Sequence, residues 1–189
     1  GSHFYNLLSA LQKSVRGSDV NASIYYLAHL LETGDITAVS RRLLVMAYED
    51  VGLASPEVGP HVLAATDAAV RLGMPEARIP LANAVIEMCL ASKSNSAYKA
   101  FDAAVQAIND GRTGDIPMHL RDTHYAGASE LGHVGYQYPH STPLGSFGGW
   151  VNQQYLPDKV EGTEFYKPVL AGEEAKFAAI YERIKEFRK

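Results

Sequence analysis

Short apolar repeats at helical spacing, separated by glycines, dominate the first two-thirds of this sequence. The first repeat consists of Phe4, Leu7, Leu8, Leu11 and Val15. Residues three and four apart share one face of an α-helix, and Gly17 follows where a helix end favours glycine. No heptad persists, so the pattern predicts an all-α antiparallel helical bundle rather than a coiled coil.

Capping residues and prolines mark where further helices begin. Ser18 or Asp19 can cap the second helix, and Asp35 can cap the third. The segment Ser55-Pro56-Glu57 combines a cap, a proline and an acid, which favours a helix start. We expect this fourth helix to end at Gly73.

Three more helices are predicted beyond Gly73. The fifth extends from Pro75 to about Ala91. Pro80 lies inside it and lacks a backbone donor, so we expect either a kink or a late start. The sixth covers 95–109 with Ser94 as its cap, and the last covers 173–187.

A long segment, 132–168, is rich in glycine, proline and aromatic residues and shows little helical period. Its aromatic residues are Tyr136, Tyr138, Phe147, Trp150, Tyr155, Phe165 and Tyr166. Disordered segments are poor in such residues, so we expect an ordered arm packed against the helical body or a neighbouring subunit. The same rings could stack on nucleic-acid bases. Lys159 is the only Lys or Arg between residues 132 and 160, which favours protein packing.

The predicted organisation is one structural unit with three parts. These are a helical domain at 4–131, the arm at 132–168 and a C-terminal helix at 169–189. Gly1-Ser2-His3 resembles the remnant of an expression tag, so we expect the natural chain to continue upstream.

The charge balance argues against a dedicated nucleic-acid module. The chain has 17 Lys and Arg against 21 Asp and Glu, a net charge of -4, and a polyanion is repelled by such a field. DNA contact would need a local patch, and Arg41, Arg42 and Arg78 are candidates for it. Each of these arginines could instead pair with a carboxylate or lie in water.

The segment Lys93-Ser94-Asn95-Ser96 precedes the sixth helix and suits an anion. Helix N-terminal N–H groups attract phosphate, and ordinary capping is the favoured alternative. The full set of candidate contacts for an anion, DNA or a partner surface is Arg41, Arg42, Arg78, Lys93, Ser94, Asn95, Tyr98, Tyr136, Tyr138, Trp150 and Tyr155.

Two other constellations admit a chemical interpretation. Glu49 and Asp50 are adjacent, so on an α-helix they would point about 100° apart and not share a site; capping or interhelix hydrogen bonding is favoured. Cys89 lies in an apolar run and is expected to be a buried small hydrophobe. The metal hypothesis depends on Asp115, His119, Asp122, His124, His133 and His140. Their spacing matches no established metal motif.

Four short sequence motifs resemble those of a known protein family. They are Glu49-Asp50-Val51-Gly52-Leu53-Ala54, Gly73-Met74-Pro75-Glu76-Ala77-Arg78, Lys93-Ser94-Asn95-Ser96-Ala97-Tyr98-Lys99-Ala100 and Gln153-Gln154-Tyr155-Leu156-Pro157-Asp158. From about Tyr5 onward the chain resembles the C-terminal part of the replication-associated recombination protein A (RarA/MgsA) family. These are AAA+ ATPases related to clamp-loader subunits, and the matching end resembles a clamp-loader collar.

The resemblance implies a homo-oligomer, most simply a tetramer, in a bacterial, cytoplasmic and nucleoid-associated protein. It further implies that the parent protein binds ATP and Mg²⁺ and acts with DNA and single-strand-binding protein at stalled or gapped forks. No Gly-x4-Gly-Lys-Ser/Thr phosphate loop occurs in these 189 residues. We therefore expect no catalytic chemistry, cofactor or metal in this chain, and no membrane partner. A DNA- or protein-docking module and a metal-dependent helical enzyme are the alternatives.

Overall fold

The computed structural model describes residues 2–124, 127–128, 130, 132, 135–141 and 149–189. This part of the chain contains seven α-helices and no β-strand, which confirms the all-α prediction. The helices are α1 (Ser2–Arg16), α2 (Val20–Leu31), α3 (Ile36–Met46), α4 (Val58–Leu72), α5 (Arg78–Leu90), α6 (Ser96–Asn109) and α7 (Glu174–Phe187). None of the helices in the described ranges is both long and apolar enough to span a bilayer.

Two predicted capping residues, Asp19 and Asp35, set the starts of α2 and α3, whereas α4 begins at Val58 without the side-chain cap expected near Ser55. A carboxylate oxygen of Asp19 accepts from the N–H of Ala22 at 2.9 Å, and one of Asp35 accepts from Ala38 at 3.0 Å. Helix α5 begins at Arg78, so Pro80 lies in the first turn, where no intrahelical donor is required. Of the two expectations for Pro80, the structure shows the late helix start and not the kink.

The end of α3 departs from a simple α-helix. Ala47–Val51 form a π-helical turn, and Gly52–Ala54 form a 3-10 turn. Gly52 has a φ of 49°, and a Cβ atom there would lie 2.9 Å from the carbonyl oxygen of Ser94. The N–H of Ser94 in turn donates to the carbonyl oxygen of Asp50 at 2.8 Å. A glycine is required here because two backbone segments touch.

The hydrophobic core joins α1 to α5. Leu11, Leu30, Leu43 and Leu81 are fully buried in it. Cys89 is buried too, its Sγ lies 3.1 Å from the hydroxyl of Ser23, and burial raises the pKa of the thiol. The prediction that this cysteine packs as a small hydrophobe is confirmed.

The packing divides the chain into two compact units. One contains Gly1–Lys99 and Tyr166–Ala178, and the other contains Ala100–Phe165 and Ala179–Lys189. Helices α1 to α5 belong to the first unit, and most of α6 and α7 belong to the second. The three-part division expected from the sequence stays a prediction.

Glutamine side chains hold the irregular backbone of the second unit. Gln153 bonds the backbone of Gln137 twice, accepting from its N–H at 3.1 Å and donating to its carbonyl at 2.9 Å. Gln154 donates to the carbonyl of Leu156 and to Asp158, both at 2.7 Å. These contacts give the Gln-Gln sequence a structural role.

The aromatic residues of the arm differ in exposure. The ring of Trp150 lies 6.1 Å from that of Phe187, in an edge arrangement. Tyr136 and Tyr138 are about half exposed, at 48% and 56%. Phe147 lies outside the described residues. Within the second unit, packing therefore engages Trp150 more than the two tyrosines.

Candidate functional site

Two of the four sequence motifs, the one that contains Glu49 and the one that contains Lys93, lie side by side in the first unit. The turn containing Glu49 and Asp50 meets the segment that leads from α5 into α6. Between them is a cleft of about 380 Å³, lined by Arg16, Asp50, Asn95 and Tyr98 among others. The structure thus brings the predicted candidates Lys93, Ser94, Asn95 and Tyr98 together.

A buried polar network forms one wall of this cleft. Gln12 donates to Glu49 and, at 3.1 Å, to Asp50. Arg16 Nε donates to Asp50 at 2.8 Å, and this hydrogen bond raises the pKa of the guanidinium. Arg42 donates to the side-chain oxygen of Gln12 at 3.2 Å. Buried carboxylates are tolerated when they are paired and hydrogen-bonded in this way.

The network confirms interhelix hydrogen bonding for Glu49 and Asp50 and corrects one detail. We expected the two carboxylates to diverge by an α-helical step and not share a site. Both instead reach Gln12 and Arg16 of α1. The residues lie in the π-helical turn rather than in an α-helix, so the α-helical step does not apply.

Lys93 points at helix carbonyls. Its Nζ donates to the carbonyl oxygens of Cys89 at 2.8 Å and Ala91 at 2.6 Å, and to the hydroxyl of Ser18 at 3.1 Å. Burial lowers the pKa of this amine. The ammonium group satisfies the C-terminal end of α5 and complements its dipole.

An internal carboxylate lies at the start of α6. Glu174 is fully buried, and it accepts hydrogen bonds from the hydroxyl of Ser96 and, at 2.7 Å, from that of Tyr166. Ser94 accepts from the N–H of Ser96 at 3.2 Å, as a capping side chain does. The anion beside the α6 N-terminus is therefore supplied by this chain itself.

The ionisation of Glu174 follows from these contacts. Burial raises the pKa of the carboxyl, but the hydrogen bonds that it accepts, among them those from the hydroxyl groups of Ser96 and Tyr166, outweigh this effect. The net result is a pKa below the usual value of 4.5. Its Oε1 atom has no hydrogen-bond partner among the described residues.

The segment 166–173, which we call the strap, brings Glu174 to this position. The N–H of Glu173 donates to the carbonyl oxygen of Ala54 at 2.8 Å. Gly172 has a φ of 54°, and a Cβ atom there would overlap that same carbonyl and approach Ser92 to 3.0 Å. The strap belongs to the first unit and touches the backbone of Ala54 at a point that admits only glycine.

The other candidate contacts lie elsewhere. Arg41 and Arg42 line a groove between α1 and α3, and Arg78 lines an apolar groove between α2 and α5. The candidates of the second unit are Tyr136, Tyr138, Trp150 and Tyr155. Sequence reasoning missed Gln12, Arg16 and Glu174, because Arg16 resembled a helix-end residue and Glu174 a partner for the dipole of its own helix.

The histidines proposed as metal ligands do not form a metal-binding cluster within the described residues. No group of three or more His, Cys, Asp or Glu side chains suits a metal ion there. His119 lies 2.7 Å from the carbonyl oxygen of Gln154, and His124 pairs with the exposed Asp122 at 2.7 Å. His133 lies outside the described residues.

Comparison with known proteins gives consistent matches. Residues 17–185 match the family described as MgsA AAA+ ATPase C terminal. Replication-associated recombination protein A of Bacillus subtilis is 54% identical over 186 residues, covering 97% of this chain and 43% of that protein. An AAA domain-containing protein of Mycobacterium tuberculosis is 42% identical, covering 98% of this chain and 40% of its own length. The Escherichia coli K12 protein named as in B. subtilis is 37% identical, covering 93% and 39%. The chain thus spans about two-fifths of the length of these relatives.

Proposed function

The chain belongs to the MgsA AAA+ ATPase C-terminal family, and from this premise we propose that it is the oligomerisation domain of a AAA+ ATPase. The names of its relatives place them in replication-associated recombination. We assign the parent protein to DNA replication, recombination and repair at stalled or gapped forks, in the bacterial cytoplasm near the nucleoid. A homotetramer is the proposed assembly.

The observation that carries an assembly role is a row of exposed apolar residues on the outer side of α5. Leu81, Val85 and Met88 face the core of the first unit. On the outer side, Ile79 is 53% exposed and Leu90 is 69% exposed. Exposed apolar residues grouped on one side of a helix mark an interaction surface, so this outer side indicates a covering subunit.

We assign the ATP chemistry of the parent protein to residues outside this chain. A nucleotide site needs a phosphate-cradling loop with Lys and a metal-holding hydroxyl, and the sequence has no such loop. ATP and Mg²⁺ are therefore assigned to other residues of the longer protein. DNA and single-strand-binding protein are proposed as partners of that whole protein.

Light scattering tests the proposal. At about 50 µM, a concentration far above the dissociation constant of a stable interface, the 20.5 kDa chain should show about four times its own mass. Ile86→Asp, on the exposed face of α5, should lower that mass. Lys13→Asp, at an exposed position of α1, is the control and should leave it unchanged. A wild-type monomer would reject the assembly role.

A second candidate function is a docking module for a protein partner or DNA. It is favoured by the exposure of Tyr136 and Tyr138, whose rings lie 6.5 Å apart in the second unit. Binding of single-strand-binding protein to this chain, lost in Tyr138→Ala, would promote this candidate.

A further inference from the structure

Two surfaces of the first unit carry opposite charges without partners. The first is the groove between α1 and α3, of about 640 Å³. Tyr5, 67% exposed, and Val45, 50% exposed, flank it above the buried Leu8. Arg41 is exposed on the same groove and makes no hydrogen bond or ion pair with any described residue. An unpaired cation thus lies among apolar side chains.

The second surface is a ridge on α4. Leu63, Asp67 and Val70 are spaced by four and three residues, so they share one face of the helix. Leu63 is 47% exposed and Val70 is 66% exposed. Asp67 is exposed between them, also without an ionic or hydrogen-bonded partner in the described ranges. The ridge has the apolar character of the groove and the opposite charge.

We propose that the α4 ridge of one copy docks in the α1–α3 groove of a second copy of this chain, with Asp67 paired to Arg41. This inference rests on the proposed oligomerisation and names a pair of surfaces on α1, α3 and α4 that contributes to it beside the outer face of α5. A single ion pair surrounded by apolar side chains gives register and specificity to an interface. Both surfaces belong to the first unit, so every copy can donate a ridge and accept one.

The charges along the two helices fix the direction of docking. Arg71 lies one turn after Asp67 on α4, and Asp35 lies before Arg41 at the start of α3. If the ridge runs antiparallel to α3, Asp67 meets Arg41 while Arg71 approaches Asp35. In the same register, Leu63 lies towards Val45 and Val70 lies towards Tyr5. This follows because α1 and α3 run in the same direction, with Gln12 of α1 contacting Arg42 of α3. A parallel docking would instead place Arg71 beside the apolar Val45 and leave Asp35 without a basic partner.

The chemistry favours a second copy over other occupants. Nucleic acid would meet Asp35 on the groove and a chain of net charge -4. A ridge-to-groove contact joins different surfaces of the two copies, so it is heterologous, and such contacts form a closed ring when the rotation between copies closes. A ring of four copies agrees with the proposed tetramer.

Charge reversal with mixing tests this docking. Arg41→Glu and Asp67→Lys should each raise the dissociation constant of the assembly by about 100-fold, because like charges then face each other. Mixing the two variants in equal amounts should restore the wild-type mass, since in a ring of alternating variants every ridge meets a groove of opposite charge. Lys99→Glu is the control, and thermal unfolding should show that every variant folds.

The outcomes separate the two proposals. A wild-type monomer rejects both the oligomerisation function and the docking. An oligomer that persists in both single variants rejects the ridge and groove and leaves the oligomerisation function standing. Dissociation of the single variants without recovery on mixing also rejects the Asp67–Arg41 pairing.

Discussion

The carboxylate of Glu174 lies where the N–H groups at the start of α6 favour an anion. Hydroxyl donors from Ser96 and Tyr166 hold it, and no solvent reaches it. An external phosphate entering the same position would meet a like charge. Nearby, Lys93 is committed to carbonyl oxygens. These two residues therefore stabilise the junction of α5, α6 and the strap.

Glu174→Gln should destabilise the first unit at neutral pH. The variant keeps the shape of the side chain but loses the charge that the hydroxyl groups and the helix start stabilise. Hydrogen bonds to charged groups contribute about 1.5–3 kcal/mol, so we expect a loss of this size in the free energy of unfolding. Denaturant titration measures it. Glu173→Gln is the control, because the exposed side chain of Glu173 pairs with that of Lys176; an equal loss in both variants would contradict the assignment.

The pH dependence of the same contact has a definite sign. The pKa of Glu174 is lowered from 4.5 on folding, so its contribution is fully present above pH 4.5. It decreases as the pH falls through the lowered pKa, because the unfolded state then binds the proton more readily. The stability gap between wild type and Glu174→Gln should therefore narrow below pH 4.5. A gap that widens on acidification would show that folding raises the pKa of this carboxyl instead of lowering it.

At the residue scale, contacts between neighbours in the sequence could be predicted, and contacts between distant residues could not. Asp19 and Asp35 were identifiable as caps because the groups they bond lie three residues away. The partners of Glu174 include Ser96, 78 positions away. No periodicity or spacing connects such positions, so the sequence indicated the α6 start but not the carboxylate that occupies it.

At the scale of elements, the turn after α3 positions both halves of the cleft. Its π-helical geometry directs Glu49 and Asp50 towards α1, and Gly52 then lets the chain touch Ser94. The starts of α2 and α3 followed from capping chemistry, which is local. The π turn did not, because it depends on contacts with α1 and with the residues before α6.

Gly52→Ala should destabilise the fold more than a glycine replacement elsewhere. The alanine would have to adopt a φ of 49°, and its Cβ atom would lie 2.9 Å from a backbone oxygen. We expect these two effects to lower the free energy of unfolding by about 2–4 kcal/mol. Gly34→Ala is the matched control. Its φ is 79°, but no atom lies within 4 Å of the added Cβ, so a loss of about 1 kcal/mol is expected. Thermal unfolding of the two variants compares them, and equal losses would refute the close-approach argument.

At the scale of the whole molecule, the cations are largely committed to internal partners. Arg16 bonds Asp50, Arg42 bonds Gln12, and Lys185 pairs with Glu164 and Glu182. The chain as a whole carries a net charge of -4. Composition alone therefore indicated a weak attraction for nucleic acid, and the structure adds that several basic side chains are paired within each unit.

The isolated chain should accordingly bind DNA weakly. We expect a dissociation constant above about 1 µM for single-stranded or forked DNA near physiological salt, no tighter than ordinary non-specific binding. Fluorescence anisotropy of a labelled oligothymidylate, repeated at two salt concentrations, measures the affinity and the number of phosphate contacts. Tight binding that disappears in Arg41→Glu would identify the α1–α3 groove as a nucleic-acid surface. Because that groove is assigned here to the α4 ridge of a second copy, DNA that bound there would compete with assembly. Weak binding together with an intact oligomer is therefore the result that agrees with both the charge and the docking.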